Sequence, residues 1–206
     1  MFSLADAELF NVDLFHAPHS LFLIVHSSLF IVVLLQSFNI PHSTFHIMKI
    51  RTGLGYDVHR LVEGRELWLG GIKIDHSLGL LGHSDADVLI HAICDALLGA
   101  ANMRDIGYHF PDTSADTLNI DSKILLKKTI DLIATKGYRL GNIDATICAE
   151  RPKINPHVEA MKACLAKVMS TDEDNISIKA TTTEKLGFTG REEGMSAYAT
   201  VLIEKD

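Results

Sequence analysis

The sequence predicts an α+β fold: one two-layer domain over residues 48–206, preceded by an apolar extension at 1–47. Three observations carry that prediction. Strand-like and helix-like segments alternate from Met48 onward, a glycine pair marks a hairpin, and no internal repeat or low-complexity linker divides the domain. The 206 residues suffice for one domain with a substantial core, and 47% hydrophobic with 22% charged residues is ordinary globular composition. A formal net charge of −7 excludes a general basic surface for nucleic acid, so an anionic ligand would have to be held by local groups. Cys94, Cys148 and Cys164 are odd in number, far apart, and form no Cys-x-x-Cys motif. They read as reduced thiols in a cytoplasmic protein, with Cys94 and Cys148 in the core.

The extension differs from the rest of the chain. From Leu14 to Ile47 it has no Lys, Arg, Asp or Glu, and Leu21–Leu35 is apolar apart from His26, Ser27 and Ser28. A membrane anchor needs about 20 apolar residues, which this run does not reach. A signal peptide needs a positive start, whereas the early charges here are Asp6, Glu8 and Asp13. The expectation is therefore that 1–47 lies outside the working fold, with translation starting at Met48 or the segment forming a loose tail. An intact Met1 terminus in a membrane fraction, read by mass spectrometry, would overturn it.

In chain order, residues 48–57 read as a strand near its end. Glu66–Ile74 reads as a hairpin turning at Gly70-Gly71. Leu78–His83 is a glycine-rich approach to a helix capped by Ser84 or Asp85, with acids in its first turn. That helix runs over Val88–Leu98 and stops near Gly99. Asp105–Asp116 is a loop containing Gly107 and Pro111. Ser122–Lys136 is an amphipathic helix ending at Gly137. Ile143–Ala149 is a strand, Pro152–Pro156 a loop and Val158–Met169 a helix. Ile176–Ala180 and Ala197–Ile203 are strands, joined through a glycine-rich segment at 187–194.

The chemistry concentrates in a few places. Asp57-x-His59 puts two ligand side chains on one face of a strand, and His91 follows on a helix. Three ligands with no fourth nearby suit a catalytic zinc, which keeps a position open. The plainer reading is a surface aspartate and a histidine satisfied by a loop carbonyl. Asp87 and Asp95 flank His91 at i−4 and i+4, where a carboxylate would orient its second ring nitrogen or be an ordinary helix acid. His83-Ser84 enters a helix N-terminus, a natural phosphate seat, although Ser84 also makes a plain cap. Asp105-Ile106-Gly107 and Phe110-Pro111-Asp112-Thr113-Ser114 place two acids in one loop, suited to sugar hydroxyls or to turn chemistry. Ala149-Glu150-Arg151-Pro152-Lys153-Ile154-Asn155 follows a strand and would read a base edge and a phosphate, or be a solvated loop. Thr181-Thr182-Thr183-Glu184, with Lys185, Phe188 and Arg191, offers a phosphate surface and a hard oxygen ligand for Mg2+ or Mn2+, or a capping pattern. It is not a Walker A loop.

Together these segments resemble the 2-C-methyl-D-erythritol 2,4-cyclodiphosphate synthase family of the non-mevalonate isoprenoid pathway. The likeness runs from about Met48 to Lys205. It includes Gly-Tyr-Asp-Val-His at 55–59, Gly-His-Ser-Asp-Ala-Asp at 82–87, Asp-Ala-Leu-Leu-Gly-Ala-Ala at 95–101, and Asp-Ile-Gly at 105–107. Phe-Pro-Asp-Thr at 110–113 and Ala-Thr-Thr-Thr-Glu-Lys-Leu-Gly-Phe-Thr-Gly-Arg at 180–191 complete it. The resemblance implies a two-layer α/β sandwich, a mixed sheet with helices on one face, assembling as a homotrimer with active sites between subunits. It implies that 4-diphosphocytidyl-2-C-methyl-D-erythritol 2-phosphate cyclises with release of CMP. It implies zinc on Asp57, His59 and His91, and a second ion, Mg2+ or Mn2+, at Glu184. His83 and Thr182 would stabilise the transition state. Asp57, Val58, His59, Ser84, Asp105, Ile106, Gly107 and the 110–114 loop would hold the erythritol and phosphate. Residues 149–155, 181–184, Phe188 and Arg191 would hold the nucleotide and its phosphates. Ser114 departs from a second Asp found in many relatives, and the extension has no family counterpart. A zinc phosphohydrolase would instead give a linear product, and a binding module with a structural zinc would need a fourth protein ligand.

Overall fold

The computed structural model describes residues 13–17, 20–24, 48–111 and 119–206. The chain divides into two compact units, 1–47 and 48–206. In the first, strands β1 (Asp13–Ala17) and β2 (Ser20–Ile24) pair antiparallel. Most of the apolar run, and Asp112, Thr113 and Ser114 of the predicted sugar-binding loop, lie outside the described residues.

The second unit is built on a five-stranded mixed sheet. Its strands are β3 (Lys49–Glu63), β6 (Leu78–Leu81), β7 (Arg139–Cys148), β8 (Ile176–Thr181) and β9 (Gly194–Lys205), in the order β6-β3-β9-β7-β8. Only β7 and β8 run parallel. A separate hairpin joins β4 (Leu67–Leu69) to β5 (Ile72–Ile74). Gly70 and Gly71 both take positive φ, 60° and 78°, as a tight two-residue hairpin turn demands.

Helix α1 (Val88–Ala100) packs on β3 and β9. Its residues are apolar almost all round, and ten of them are buried, which makes it the central helix of the core. Strand β3 alternates from Ile50 to Leu61. Gly53 and Gly55 face α1, while Ile50, Leu54, Tyr56 and Val58 are exposed on the other face. The short helix α2 (Ile106–His109) follows, then α3 (Ser122–Thr135), α4 (Val158–Met169) and a last short helix α5 (Gly187–Gly190).

Several sequence expectations need correction. The first strand does not end near Val58; it continues to Glu63, because β6 and β9 both supply ladder partners beyond that point. Residues 78–81 form an edge strand where a plain approach to the helix was expected. The cap of α1 is Asp87, whose carboxylate accepts from the Ile90 N–H, so no acid occupies the first turn. The predicted loop after Asp105 contains α2, with Asp105 as its cap. The remaining predicted strands extend one to four residues further as pairing across the sheet completes them, except that β7 stops at Cys148, one residue before its expected end. Cys94 is core as expected, and its thiol is pushed up to about 12 by burial, whereas Cys148 is half-buried.

Candidate metal centre and its cavity

Asp57 and His59 are neighbours on the helix-facing side of β3, and His91 projects from the second turn of α1. Asp57 Oδ2, His59 Nε2 and His91 Nδ1 lie 3.0 Å from one another. Among the described residues these three form the group of acid and imidazole ligands able to hold a metal ion. The outward nitrogens explain why the inward ones converge. His59 Nδ1 is 2.9 Å from the Leu81 carbonyl, which can only accept, so Nδ1 carries the proton and Nε2 presents a lone pair. The plainer reading and the ligand reading of His59 are therefore compatible, one on each nitrogen. With both rings neutral, two lone pairs and a carboxylate oxygen would meet at 3.0 Å and repel one another unless a proton or a metal cation joins them. A tetrahedral zinc with bonds of about 2.0–2.1 Å spaces its ligands roughly 3.3 Å apart, so the site fits such an ion with small adjustment.

Burial would raise the Asp57 carboxyl, but hydrogen bonds and charge from His59 and His91 outweigh it and hold the group well below 3.8. Burial would lower His91, but the Asp57 hydrogen bond and charge carry it above 6.5. The linkage signs are opposite. Asp57 contributes stability above its unfolded value, lost as pH falls through its depressed folded value. His91 contributes stability below 6.5, lost as pH rises through its raised folded value. The metal-free protein should therefore melt highest between about pH 4 and 6.5 and less stably above, while zinc affinity rises over the same upward range as protons leave the ligands. Calorimetry of the apo and zinc-loaded forms at pH 5.5 and 8.5 checks this. A zinc-induced rise in melting temperature no larger at pH 8.5 than at 5.5 would contradict it.

The three ligands border a cavity of about 240 Å³, also lined by Gly82, His83, Ser84, Ile106, Gly107, Phe110, Ile120 and Leu125. His83, Ser84, Ile106, Gly107 and Phe110 thus meet the metal ligands as the motifs suggested. Val58 does not; its side chain is exposed on the opposite face of β3. Asp105 caps α2 through Tyr108 N–H at 2.8 Å. Neither flanking acid touches the His91 ring. Asp87 is fully buried and accepts from the N–H groups of Gly70, Gly71 and Ile90 at 3.0, 2.7 and 3.0 Å. Burial raises its carboxyl despite those donors. Asp95 accepts from Ile106 N–H at 2.8 Å and so fixes the start of α2. The residues that do meet the outer nitrogen of His91 are Ser122 at 3.0 Å and Ser84 at 3.2 Å. Sequence reasoning missed Ser122, because no spacing rule links the start of α3 to a histidine on α1.

The predicted nucleotide residues gather elsewhere. Ala149 N–H donates to the Thr181 carbonyl at 3.0 Å. Glu150 Oε1 accepts from the N–H groups of Thr183 and Lys185 at 3.1 and 3.0 Å, across a turn in which Glu184 and Lys185 both take positive φ. Thr182 Oγ1 donates to Glu184 Oε1 at 3.2 Å, Thr183 Oγ1 to the Leu186 carbonyl at 2.7 Å, and Thr181 Oγ1 to the Thr182 carbonyl at 3.0 Å. Arg151 precedes a cis peptide to Pro152 and pairs with Glu192 at 3.6 Å. Ile154 is buried in the core, Asn155 opens a 3-10 turn, Phe188 is exposed, and Arg191 pairs with Glu193 at 2.8 Å. The two groups share one end of the sheet: Val58, Ser196, Cys148 and Thr181 stand in register across β3, β9, β7 and β8. Three interstrand steps put them about 14 Å apart. No residue of 149–155 or 181–191 lines the metal-side cavity.

Comparison with known proteins gives one answer. A sequence model of the YgbB family matches residues 50–204. A 2-C-methyl-D-erythritol 2,4-cyclodiphosphate synthase of Bacteroides thetaiotaomicron is 77% identical over 159 residues, covering 77% of this chain and 100% of that protein. The bifunctional IspDF of Campylobacter jejuni superposes with a TM-score of 0.75 at 44% identity, over 77% of this chain; this chain spans 43% of its length. A 2C-methyl-D-erythritol-2,4-cyclodiphosphate synthase in a CDP-bound form superposes with a TM-score of 0.69 at 37% identity, over 74% of this chain and 99% of that one.

Proposed function

The chain belongs to the YgbB family, and from that premise we propose how its own residues carry the family reaction. The enzyme converts 4-diphosphocytidyl-2-C-methyl-D-erythritol 2-phosphate to 2-C-methyl-D-erythritol 2,4-cyclodiphosphate and CMP, as a phosphorus–oxygen lyase of isoprenoid precursor synthesis. An oxygen of the 2-phosphate forms a bond to the β-phosphorus. The bond from that phosphorus to the bridging oxygen breaks, and the bridging oxygen leaves with CMP. No water is consumed.

The observation that carries the assignment of residues is the convergence of Asp57 Oδ2, His59 Nε2 and His91 Nδ1 at 3.0 Å beside a cavity. Two nitrogens and one oxygen, with the cavity on the open side, favour zinc over a purely oxygen-bound ion. When bound there, the ion supplies Lewis-acid polarisation of a diphosphate oxygen and neutralises charge. His83 and Ser84 line that cavity and would bind phosphate oxygens. Ile106, Gly107 and Phe110 would hold the erythritol chain in a folded, near-attack shape, and Asp105 and residues 111–114 would contribute to the same binding. Thr182 would donate to the phosphates, and Glu184 would hold the second ion, Mg2+ or Mn2+, a role one carboxylate plus substrate phosphates can fill. Residues 149–155 and 181–184, Phe188 and Arg191 would seat the cytidine and its phosphates.

The separation of the two residue groups supports a site shared between subunits. The exposed apolar residues Ile50, Leu54, Tyr56, Val58 and Tyr198 support association of copies through the face of the sheet that α1 leaves open, as a homotrimer. Residues 48–206 would be the catalytic unit and 1–47 dispensable for it, supported by the division of contacts at Met48. The three free cysteines support a cytoplasmic enzyme. Among the described residues no helix is long and apolar enough to cross a membrane.

Phosphorus NMR of residues 48–206 with the cytidyl substrate, zinc and magnesium tests the reaction. Cyclic diphosphate and CMP are expected, with a three-chain mass in sedimentation. A linear phosphate product would overturn the assignment. The Glu150 clamp gives a separate test. Glu150→Ala frees two loop N–H groups and should lower kcat/KM by about tenfold, roughly the value of one hydrogen bond to a charged acceptor. Glu150→Gln keeps an acceptor and should stay within about threefold of wild type. Equal losses in both variants would exclude a clamping role.

A further inference from the structure

We propose that Ser122 is a positioning residue of the metal centre, anchored by Asp85, and that it fixes which nitrogen of His91 faces the metal. The inference rests on the metal-site reading above. Ser122 is fully buried at the first position of α3. Its Oγ lies 3.0 Å from His91 Nε2. Its one hydroxyl proton is already committed, because Oγ donates in a short hydrogen bond to Asp85 Oδ1. The backbone N–H of Ser122 donates to Asp85 Oδ2 at 3.0 Å, so both carboxylate oxygens grip the same residue. Asp85 is held in turn by its own N–H, which donates to the Ile120 carbonyl at 3.1 Å.

The direction of every bond in this chain follows from the acceptor at its end. An ionised carboxylate only accepts, so the serine hydroxyl points to Asp85 and leaves its lone pairs toward His91. Nε2 must then carry a proton, so in the neutral ring it is Nδ1 that turns its lone pair to the side of Asp57 and His59. Ser84 Oγ, 3.2 Å from Nε2, already accepts from Ala86 N–H at 3.0 Å and can share the same proton as a second acceptor. His59 is fixed in the mirror sense by the Leu81 carbonyl at 2.9 Å. Each histidine thus has one donor nitrogen turned outward. For His91 that lock comes from a serine brought in by a different helix and held by an acid of the segment before α1. Outer partners of this kind set ring orientation and ligand basicity, and their loss typically weakens metal binding 10- to 100-fold.

The alternative role for the pair is structural: Asp85 merely ties the start of α3 to the segment before α1. The two roles differ in what a variant does to metal binding in protein that still folds. Metal is stripped from the enzyme, zinc affinity is measured by competition with a chromophoric chelator, and the visible spectrum is recorded with Co2+. Ser122→Ala should weaken zinc binding by about 10- to 100-fold and alter the cobalt bands. Asp85→Asn, which can turn an amide donor toward Ser122 and let the hydroxyl reverse, should weaken zinc in the same sense and decides the matter if Ser122→Ala does not fold. Unchanged zinc affinity and cobalt bands in a folded variant would overturn the proposal while leaving the metal site standing. Failure of the wild-type protein to bind zinc at all would overturn both.

Discussion

His59→Ala is expected to fold, to lose its zinc on dialysis, and to form cyclic product at less than about one hundredth of the wild-type rate. Partners one bond removed from a metal cost 10- to 100-fold when lost, so removal of a ligand must cost more. His59 is the right ligand to remove because it is the least entangled with the fold. It is partly exposed on β3, and among the described residues its one side-chain hydrogen bond outside the site is to the Leu81 carbonyl at the sheet edge. His91, by contrast, sits in the central helix among buried neighbours, and Asp57 is ringed by both histidines. Metal analysis after dialysis and phosphorus NMR of the same sample form the measurement. Retained zinc with lost turnover would show that His59 acts on substrate and not on the metal. Retained turnover would remove it from the centre altogether.

Much of this is legible in the sequence. Asp57-x-His59 announced a shared strand face because alternation is a local property of the chain, and Gly70-Gly71 announced the hairpin because both positions need positive φ. The helix at Val158–Met169 came out with its predicted ends. What failed was non-local. Strand β6 looks like a glycine-rich approach to a helix because Leu-Gly-Leu-Leu carries little strand pattern and becomes a strand by pairing with Arg60–Glu63. The cap of α1 was placed two or three residues early because three candidate caps stand within Ser84–Asp87. The tertiary fold chooses Asp87 by bringing the Gly70 and Gly71 N–H groups to the same carboxylate. The helix acids expected to orient His91 were chosen by spacing on one helix, while Ser122 arrives from another element. Periodicity finds which residues share a face; it does not find which elements a compact core will press together.

Gly55→Ala should be among the most damaging single methyls in the domain. A Cβ on Gly55 would stand 1.9 Å from the Ala92 carbonyl oxygen and 2.7 Å from the Ala96 nitrogen, both backbone atoms of α1. Ordinary contact needs roughly 3.5 Å, so the helix would have to withdraw from β3 by more than about 1 Å. Backbone cannot yield as a side chain would, and the expected loss of stability is upwards of about 3 kcal/mol. The site suffers with it. Gly55 lies two residues before Asp57 on the same face of β3, and Ala92 follows His91, so the displacement would open the 3.0 Å contacts among the three ligands. Misplacement of about 1 Å in a catalytic constellation costs on the order of 100-fold in rate. The matched control is Gly99→Ala, near the end of the same helix, where an added Cβ meets nothing within 4 Å. There the same methyl should stabilise by about 0.5–1 kcal/mol, through helix propensity and a stiffer unfolded chain. Urea unfolding and zinc titration of both variants make the comparison. Opposite signs of the two stability changes, with zinc affinity lost only in Gly55→Ala, would show that one close contact between α1 and β3 sets both the core and the metal site. A mild effect at Gly55 would mean the helix can move without cost, and the geometry of the centre must then be held by its ligands alone.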